Sequence, residues 1–275
     1  MNEDIFEKEV RNKILEWNSI SSNQVRNDWE FELTNLLYSQ RHNYIGNLLY
    51  EIIDLLRYND TLWCGPIPGA PCPENLYNDR LTYKSFMDYF TRKLNTETHN
   101  RIYQKTRDSI MIIPNECEVM DIGSLEDSSK IVSLKKGSVD FINHLKKIGL
   151  KTEGYNYINM RLLLTYYHRI HSPIKGKIER IISVPKEDDL FGNNSLSIID
   201  ILTSNGNVYL MVIGEANIQD FQFEIKVGQE IDTFDELGHF DWGSQTIILH
   251  PQNFGDLKIK EKTHYFVGDN ILKNK

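Results

Sequence analysis

The chain has 275 residues, of which 40% are hydrophobic and 25% charged, and its 39 acidic and 31 basic residues give a net charge of −8. That composition suits a soluble globular protein with room for one large domain or two small ones. The acidic balance argues against a nucleic-acid partner, which needs a concentrated basic face, and gives no support to docking on an anionic membrane.

The three cysteines, Cys64, Cys72 and Cys117, lack the paired short spacings of a disulfide framework or a zinc site, so a reduced cytoplasmic setting is expected. The opening stretch MNEDIFEKEVRNKILEW has no basic segment followed by an apolar one, so it does not read as a signal peptide. No window approaches the roughly 18 consecutive apolar residues of a membrane span.

Residues 1–60 read as helices. Phe6, Val10, Ile14 and Trp17 fall on one helical face. Ile45, Leu48, Leu49, Ile52, Leu55 and Leu56 repeat the pattern, with charged Glu51, Asp54 and Arg57 between them. These stripes predict a helical region packed on the rest of the protein or on a second copy of the chain. CGPIPGAPCPEN, residues 64–75, is a Pro/Gly-rich linker, and LTYKSFMDYFTRKL, residues 81–94, returns to a helical period. We therefore expect a helical N-terminal region over 1–80 and a catalytic domain over 81–275.

From about residue 109 short apolar runs alternate with glycine and polar turns: SIMIIP, KGKIERIISVP, LSIIDILTSNGNVYLMVIGEA, FQFEIKVGQEI and SQTIILHP. SNGN at 204–207, between two apolar runs, predicts a hairpin. Gly228 and Gly238 predict tight corners. The fold class is α+β: helices first, then a mostly antiparallel β body of barrel or sandwich type.

Three features could carry chemistry. His168 and His171 in YYHRIHSPIKGKI would lie on opposite faces if extended and could converge in a turn. They can be buried hydrogen-bonded histidines, metal ligands or acid–base groups; no Cys or His cluster nearby completes a metal site, and acid–base work beside a serine is the better functional reading. Glu116, in IIPNECEVMDIG, is a carboxylate after an apolar run, ordinarily solvated, and gains meaning only beside a histidine. Ser244, in HFDWGSQTIILHP, can be a turn residue, a nucleophile or a residue that is chemically converted. No G-x-S-x-G elbow surrounds it, which disfavours a hydrolase of that type.

The order of these motifs resembles the phosphatidylserine decarboxylase family. KSFMDYFTRKL resembles its F-x-x-F-F-x-R-x-L segment, and IIPNECEVMDIGSL its V-x-P-A-D-G-x-I-x-x-x-G turn. YYHRIHSPIKGKI resembles D-Y-H-R-x-H-x-P-x-x-G-x-I, and VGQEIDTFDELGHFDWGSQTIIL its glycine-rich stretch ending in F-x-x-G-S-T. The resemblance spans roughly residues 84 to 260. It implies a barrel-like β core related in shape to lipoyl-carrier domains and a pyruvoyl group derived from Ser244. The proenzyme, a zymogen, would cut itself between Gly243 and Ser244, and its two fragments would stay associated. His171 takes the place of the histidine of self-processing, His168 that of decarboxylation, and Glu116 that of the aspartate in an Asp-His-Ser triad.

The implied route is attack of Ser244 on the Gly243 carbonyl, β-elimination to dehydroalanine, and hydrolysis to the pyruvoyl cap with loss of ammonia. A Schiff base with a substrate amine then allows the α-carboxylate to leave. No metal is required. The sequence departs from the family pattern at Glu116 for Asp, Cys117 for Gly and Gln245 for Thr, and its N-terminus shows no membrane-associating segment. We therefore expect a soluble, cytoplasmic decarboxylase acting on a small amino acid or amino-acid derivative. The alternatives are a phosphatidylserine decarboxylase meeting the membrane peripherally, and a non-processing relative that only binds, a reading motivated by Glu116.

Overall fold

The computed structural model describes residues 3–17, 32–33, 35–37, 39, 83, 85–126, 131–134, 137–163, 166–184, 195–214, 221–241 and 243–272. The chain separates into two compact units, Met1–Leu94 and Asn95–Lys275. The Ile45–Leu56 stripe and the 64–75 linker lie outside the described residues.

In the first unit, helix α1 (Glu3–Trp17) buries Phe6 and Val10, one turn apart, and exposes Ile5 and Leu15. The helical period over 81–94 yields only the short helix α2 (Phe86–Phe90). Ser85 caps its start, the hydroxyl accepting from the Asp88 N–H at 3.1 Å. At its end the Thr91 hydroxyl donates back to the Met87 carbonyl at 2.9 Å, occupying the carbonyl as the helix stops.

The second unit opens with a helix the apolar periodicity did not reveal, α3 (Thr96–Thr106). Its sequence is mostly polar, and Asn95 caps it by accepting from the Thr98 N–H at 2.8 Å. The run SIMIIP forms no strand: Met111, Ile112 and Ile113 are buried in an extended segment with an isolated bridge from Ile112 to Asn270. There follow β1 (Cys117–Ser124), β2 (Ile131–Leu134), β3 (Gly137–Asp140), helix α4 (Phe141–Lys147), β4 (Tyr155–Arg161), β5 (Arg169–His171) and β6 (Gly176–Val184). The chain continues through β7 (Leu196–Thr203), β8 (Gly206–Gly214), β9 (Phe221–Phe223), β10 (Glu230–Ile231), β11 (Glu236–Phe240), β12 (Gly243–Pro251) and β13 (Thr263–Tyr265).

Eight strands form one sheet in the order β10-β6-β7-β8-β12-β4-β1-β13, and β5-β11-β9 form a second. The named strand pairs are antiparallel. The large sheet ends at β10 and β13, so the described strands make an open sheet where the resemblance implied a closed, barrel-like body. The chain leaves it to build the three-stranded sheet, and no pairing joins the two end strands.

One face of the large sheet packs on α4. Tyr155 and Tyr157, Leu196 and Ile198, Tyr209 and Met211, and Ile247 and Leu249 recur at every second position and meet Ile142 and Leu145 of the helix. The intervening Ile158, Ile199, Leu210 and Ile248 are buried too. Burial of both faces explains why these strands read as unbroken apolar runs. The predicted hairpin joins β7 to β8, with Thr203 paired to Gly206. The Thr203 hydroxyl accepts from the Asn205 N–H at 3.1 Å and donates to the Gly206 carbonyl.

Candidate functional site

The Gly-Ser pair, expected in a turn, lies in the first residues of β12. Gly243 pairs with Gly214 and Gln245 with Ile213, so two steps along β12 match one along β8. Ser244 is the additional residue of a β-bulge, a place where a peptide leaves the regular ladder and the strand is re-aimed. Past the bulge the strand is secured: Thr246, Ile247, Ile248 and Leu249 are fully buried between β8 and β4.

Three distant segments are tied together at this end of the sheet. The Thr246 hydroxyl bonds Asn115 Oδ1 at 3.0 Å, which brings the start of β12 to the residue before Glu116. The His171 N–H donates to the Pro114 carbonyl at 2.8 Å, and the Phe240 N–H to the His168 carbonyl at 3.1 Å. The segments carrying Glu116, the two histidines and the Gly243–Ser244 bond therefore converge.

Glu116 is 3% exposed, against the solvated state usual for a lone turn carboxylate. One oxygen accepts from the Tyr167 N–H at 3.0 Å, and the other lies 3.1 Å from His264 Nε2. Glu116 thus meets His264, on β13, and among the described residues the ring nitrogens of His171 bond Tyr167 and Phe234 instead. Tyr167 links the two: its backbone is held by Glu116, and its hydroxyl lies 3.0 Å from His171 Nε2.

His171 is fully buried. Its Nδ1 faces the Phe234 carbonyl at 2.8 Å. A carbonyl only accepts, so Nδ1 carries the proton, and Nε2 accepts from the Tyr167 hydroxyl. Burial pushes the His171 pKa down to about 4, against which the Phe234 carbonyl works in the opposite direction. His171 is therefore a neutral imidazole at physiological pH, with its basic nitrogen defined. His168 is also fully buried, and its Nδ1 donates to the Tyr166 carbonyl at 2.8 Å, which makes Nε2 its proton-exchanging end. Next to Glu116, burial raises the Cys117 thiol well above its ordinary pKa, which keeps it protonated.

Arg169, between the two histidines, pairs with Glu236 and, at 3.3 Å, with Glu224. Glu224, Glu236 and His239 bring their donor atoms within 4.8 Å of one another, and the arginine supplies the positive charge of that cluster. These pairs tie β5 to β11 and to the residue after β9, and so support the histidine strand. In β11, Gly238 lies so close to β9 that a Cβ would come within 2.1 Å of the Gln222 carbonyl oxygen.

Tyr167, Phe234 and His264 were not singled out from the sequence. Tyr167 stands inside the YYHRIH motif and could have been found there. Phe234 and His264 carry no local signal, because their partners lie far away in the chain. The residues present fit a group made in place from a serine: a glycine–serine bond at a bulge, two buried histidines with defined tautomers, and a buried carboxylate.

Residues 86–273 match the family model described as Phosphatidylserine decarboxylase. The chain is 25% identical over 211 residues to a "Phosphatidylserine decarboxylase proenzyme" of Francisella tularensis subsp. novicida, covering 65% of this chain and 73% of the relative. It is 27% identical over 203 residues to the protein of that name from a Shewanella species, covering 61% and 69%. Among the described residues no helix is long and apolar enough to cross a membrane. Together these matches make the protein a carboxy-lyase proenzyme that depends on a pyruvoyl group derived by self-cleavage from a serine; the chain belongs to the phosphatidylserine decarboxylase family.

Proposed function

We propose that the protein cuts itself between Gly243 and Ser244 and then removes the α-carboxylate from the serine headgroup of phosphatidylserine. The observation that carries this reading is the convergence of the bulged Gly243–Ser244 bond with the Glu116 and His168–His171 segments. The relatives' names favour phosphatidylserine over a free amino acid as the substrate. Catalysis belongs to residues 81–275, which include the whole stretch that matches the family model.

In processing, the Ser244 hydroxyl oxygen bonds to the Gly243 carbonyl carbon, and the Gly243–Ser244 amide C–N bond breaks to leave an ester and a free amine. His171 Nε2 receives the hydroxyl proton and returns it to that amine. The Tyr167 hydroxyl, already donating to Nε2, is the group through which the proton passes. Glu116 acts by holding the Tyr167 backbone and His264. Elimination and hydrolysis then separate the fragments.

A pyruvoyl group formed from Ser244 would supply a ketone able to bind a substrate amine and an electron sink for the loss of carbon dioxide. His168 Nε2 delivers the proton to the substrate carbon that lost its carboxylate. The buried surroundings of both histidines exclude water from these transfers.

The test is the intact mass of the purified protein, followed by incubation with phosphatidylserine vesicles and with free serine. The expected result is a fragment of 275 − 243 = 32 residues and release of carbon dioxide from the lipid. Release from free serine alone would move the substrate to soluble amino acids. A single uncut chain would leave a non-processing relative.

A further inference from the structure

Phe234 has a left-handed backbone, with φ of 77°. A bulky side chain there is disfavoured by contact of its Cβ with the neighbouring backbone, and such a conformation persists only where the surroundings hold it. The His99 ring lies 5.2 Å from that of Phe234, and the closer neighbour is His171. The Phe234 and His171 rings stack with centroids 4.2 Å apart and planes 8° from parallel. Phe234 is fully buried. Its N–H donates to the Ser172 carbonyl at 2.9 Å, and its carbonyl receives the His171 Nδ1 proton at 2.8 Å. One residue thus meets His171 twice, through its ring and through its carbonyl.

We propose that Phe234 is a positioning residue for His171: its left-handed backbone aims the carbonyl at Nδ1, and its ring clamps the plane of the imidazole. The proposal rests on the self-processing reading for its catalytic consequence, but not for its geometry. The ring also makes the left-handed backbone tolerable, because leaving that conformation would break the stack. Glycine would adopt the same backbone freely and keep the carbonyl in place, but would lose the clamp. Alanine would lose the clamp and keep the steric objection, so its backbone would relax and carry the carbonyl away.

Among the described residues, the other groups near the imidazole are the Tyr167 hydroxyl at Nε2, the His99 ring of α3 at 6.3 Å, and the positive charge of Arg169. His99, when protonated, and Arg169 oppose protonation of His171, and neither selects a tautomer. The selection of Nδ1–H belongs to the Phe234 carbonyl.

Two measurements test this. The first is NMR of the full chain carrying S244A, with 15N-labelled histidine. The parent should show His171 as a single neutral Nδ1–H tautomer at pH 6. F234G should keep that tautomer but titrate nearer the ordinary histidine value, and F234A should show mixed tautomers. The second is the rate of self-cleavage between pH 5.5 and 8 with Ser244 intact. The parent rate should change little with the protonation of His171. F234G should be about tenfold slower at pH 5.5 than at pH 8, as for an imidazole titrating near 6.5. F234A should be slower than F234G at both pH values.

Because F234G removes the steric objection, it remains a folded test if F234A loses its fold. Unchanged tautomer and titration in F234G and F234A, or cleavage by F234A as fast as by F234G, would overturn the proposal. If the chain with Phe234 intact never cleaves, the processing reading fails, and the NMR measurement alone decides whether Phe234 sets the state of His171.

Discussion

Replacing Glu116 by glutamine separates a true carboxylate–histidine–serine triad from the geometry found here. In a triad the carboxylate bonds the imidazole of the base directly, and its amide replacement lowers turnover about 10⁴-fold by imposing the wrong tautomer. In this protein His171 Nδ1 is held by the Phe234 carbonyl, and Glu116 bonds the Tyr167 N–H and His264. A glutamine can still accept from Tyr167 through its oxygen, and its amide can donate to His264 Nε2 once that ring takes its other tautomer. The change converts charge-assisted bonds into neutral ones, a loss of about 1–2 kcal/mol. Were all of that felt in the transition state, cleavage would slow by about five- to thirtyfold. The assay is the time course of proenzyme conversion on a denaturing gel after refolding, with intact mass to confirm the cut site. A loss of a thousandfold or more would refute the reasoning, because only direct contact with the catalytic base supports an effect of that size.

Further substitutions sort the remaining roles. Ser244→Ala should abolish cleavage, read as a single intact mass, because no hydroxyl remains to attack Gly243. His168→Ala should cut at the normal site yet release no carbon dioxide from substrate, measured on the purified processed protein. Tyr167→Phe should slow cleavage about a hundredfold, if its hydroxyl carries the proton, at the low end of a general acid–base contribution. The 32-residue fragment should co-purify with the larger one in native gel filtration, since β12 and β13 stay laddered to β8, β4 and β1.

Stability should also depend on pH with a defined sign. His171 titrates near 4 when folded and near 6.5 when unfolded, so between those values the unfolded chain binds more protons. This contribution is complete above pH 6.5 and is lost as pH falls toward 4, and amounts to about 3 kcal/mol. His250, whose pKa is lowered by burial, acts in the same direction. In Ser244→Ala, urea midpoints taken between pH 7.5 and 4.5 should fall with acid. Adding His171→Gln should flatten the decline, and an unchanged slope would count against a buried neutral His171.

Much of the second unit was legible locally. The strands β7, β8 and β12 were visible as apolar runs because the sheet buries both faces there, and the β7–β8 hairpin was visible because Ser204–Asn207 supplies turn residues between two such runs. The family motifs around Glu116, His168, His171 and Ser244 were legible because each is a short unbroken segment. The α3 helix was not, since its sequence is largely polar and its start depends on the Asn95 cap. The helical period over 81–94 was legible but not the shortness of α2, because Thr91 ends a helix that periodicity alone would continue. Nor could the sequence reveal that the described strands leave an open sheet, because closure depends on which end strands pair, and local alternation carries no record of that. What only the tertiary structure decided is who touches whom at the site. Glu116 bonds His264 across 148 positions of sequence, and His171 meets Phe234 across 63. A motif names the chemical groups, but the tautomer and basicity of a histidine follow from its burial and from the atoms facing its two nitrogens, and those are set by packing between segments distant in the chain.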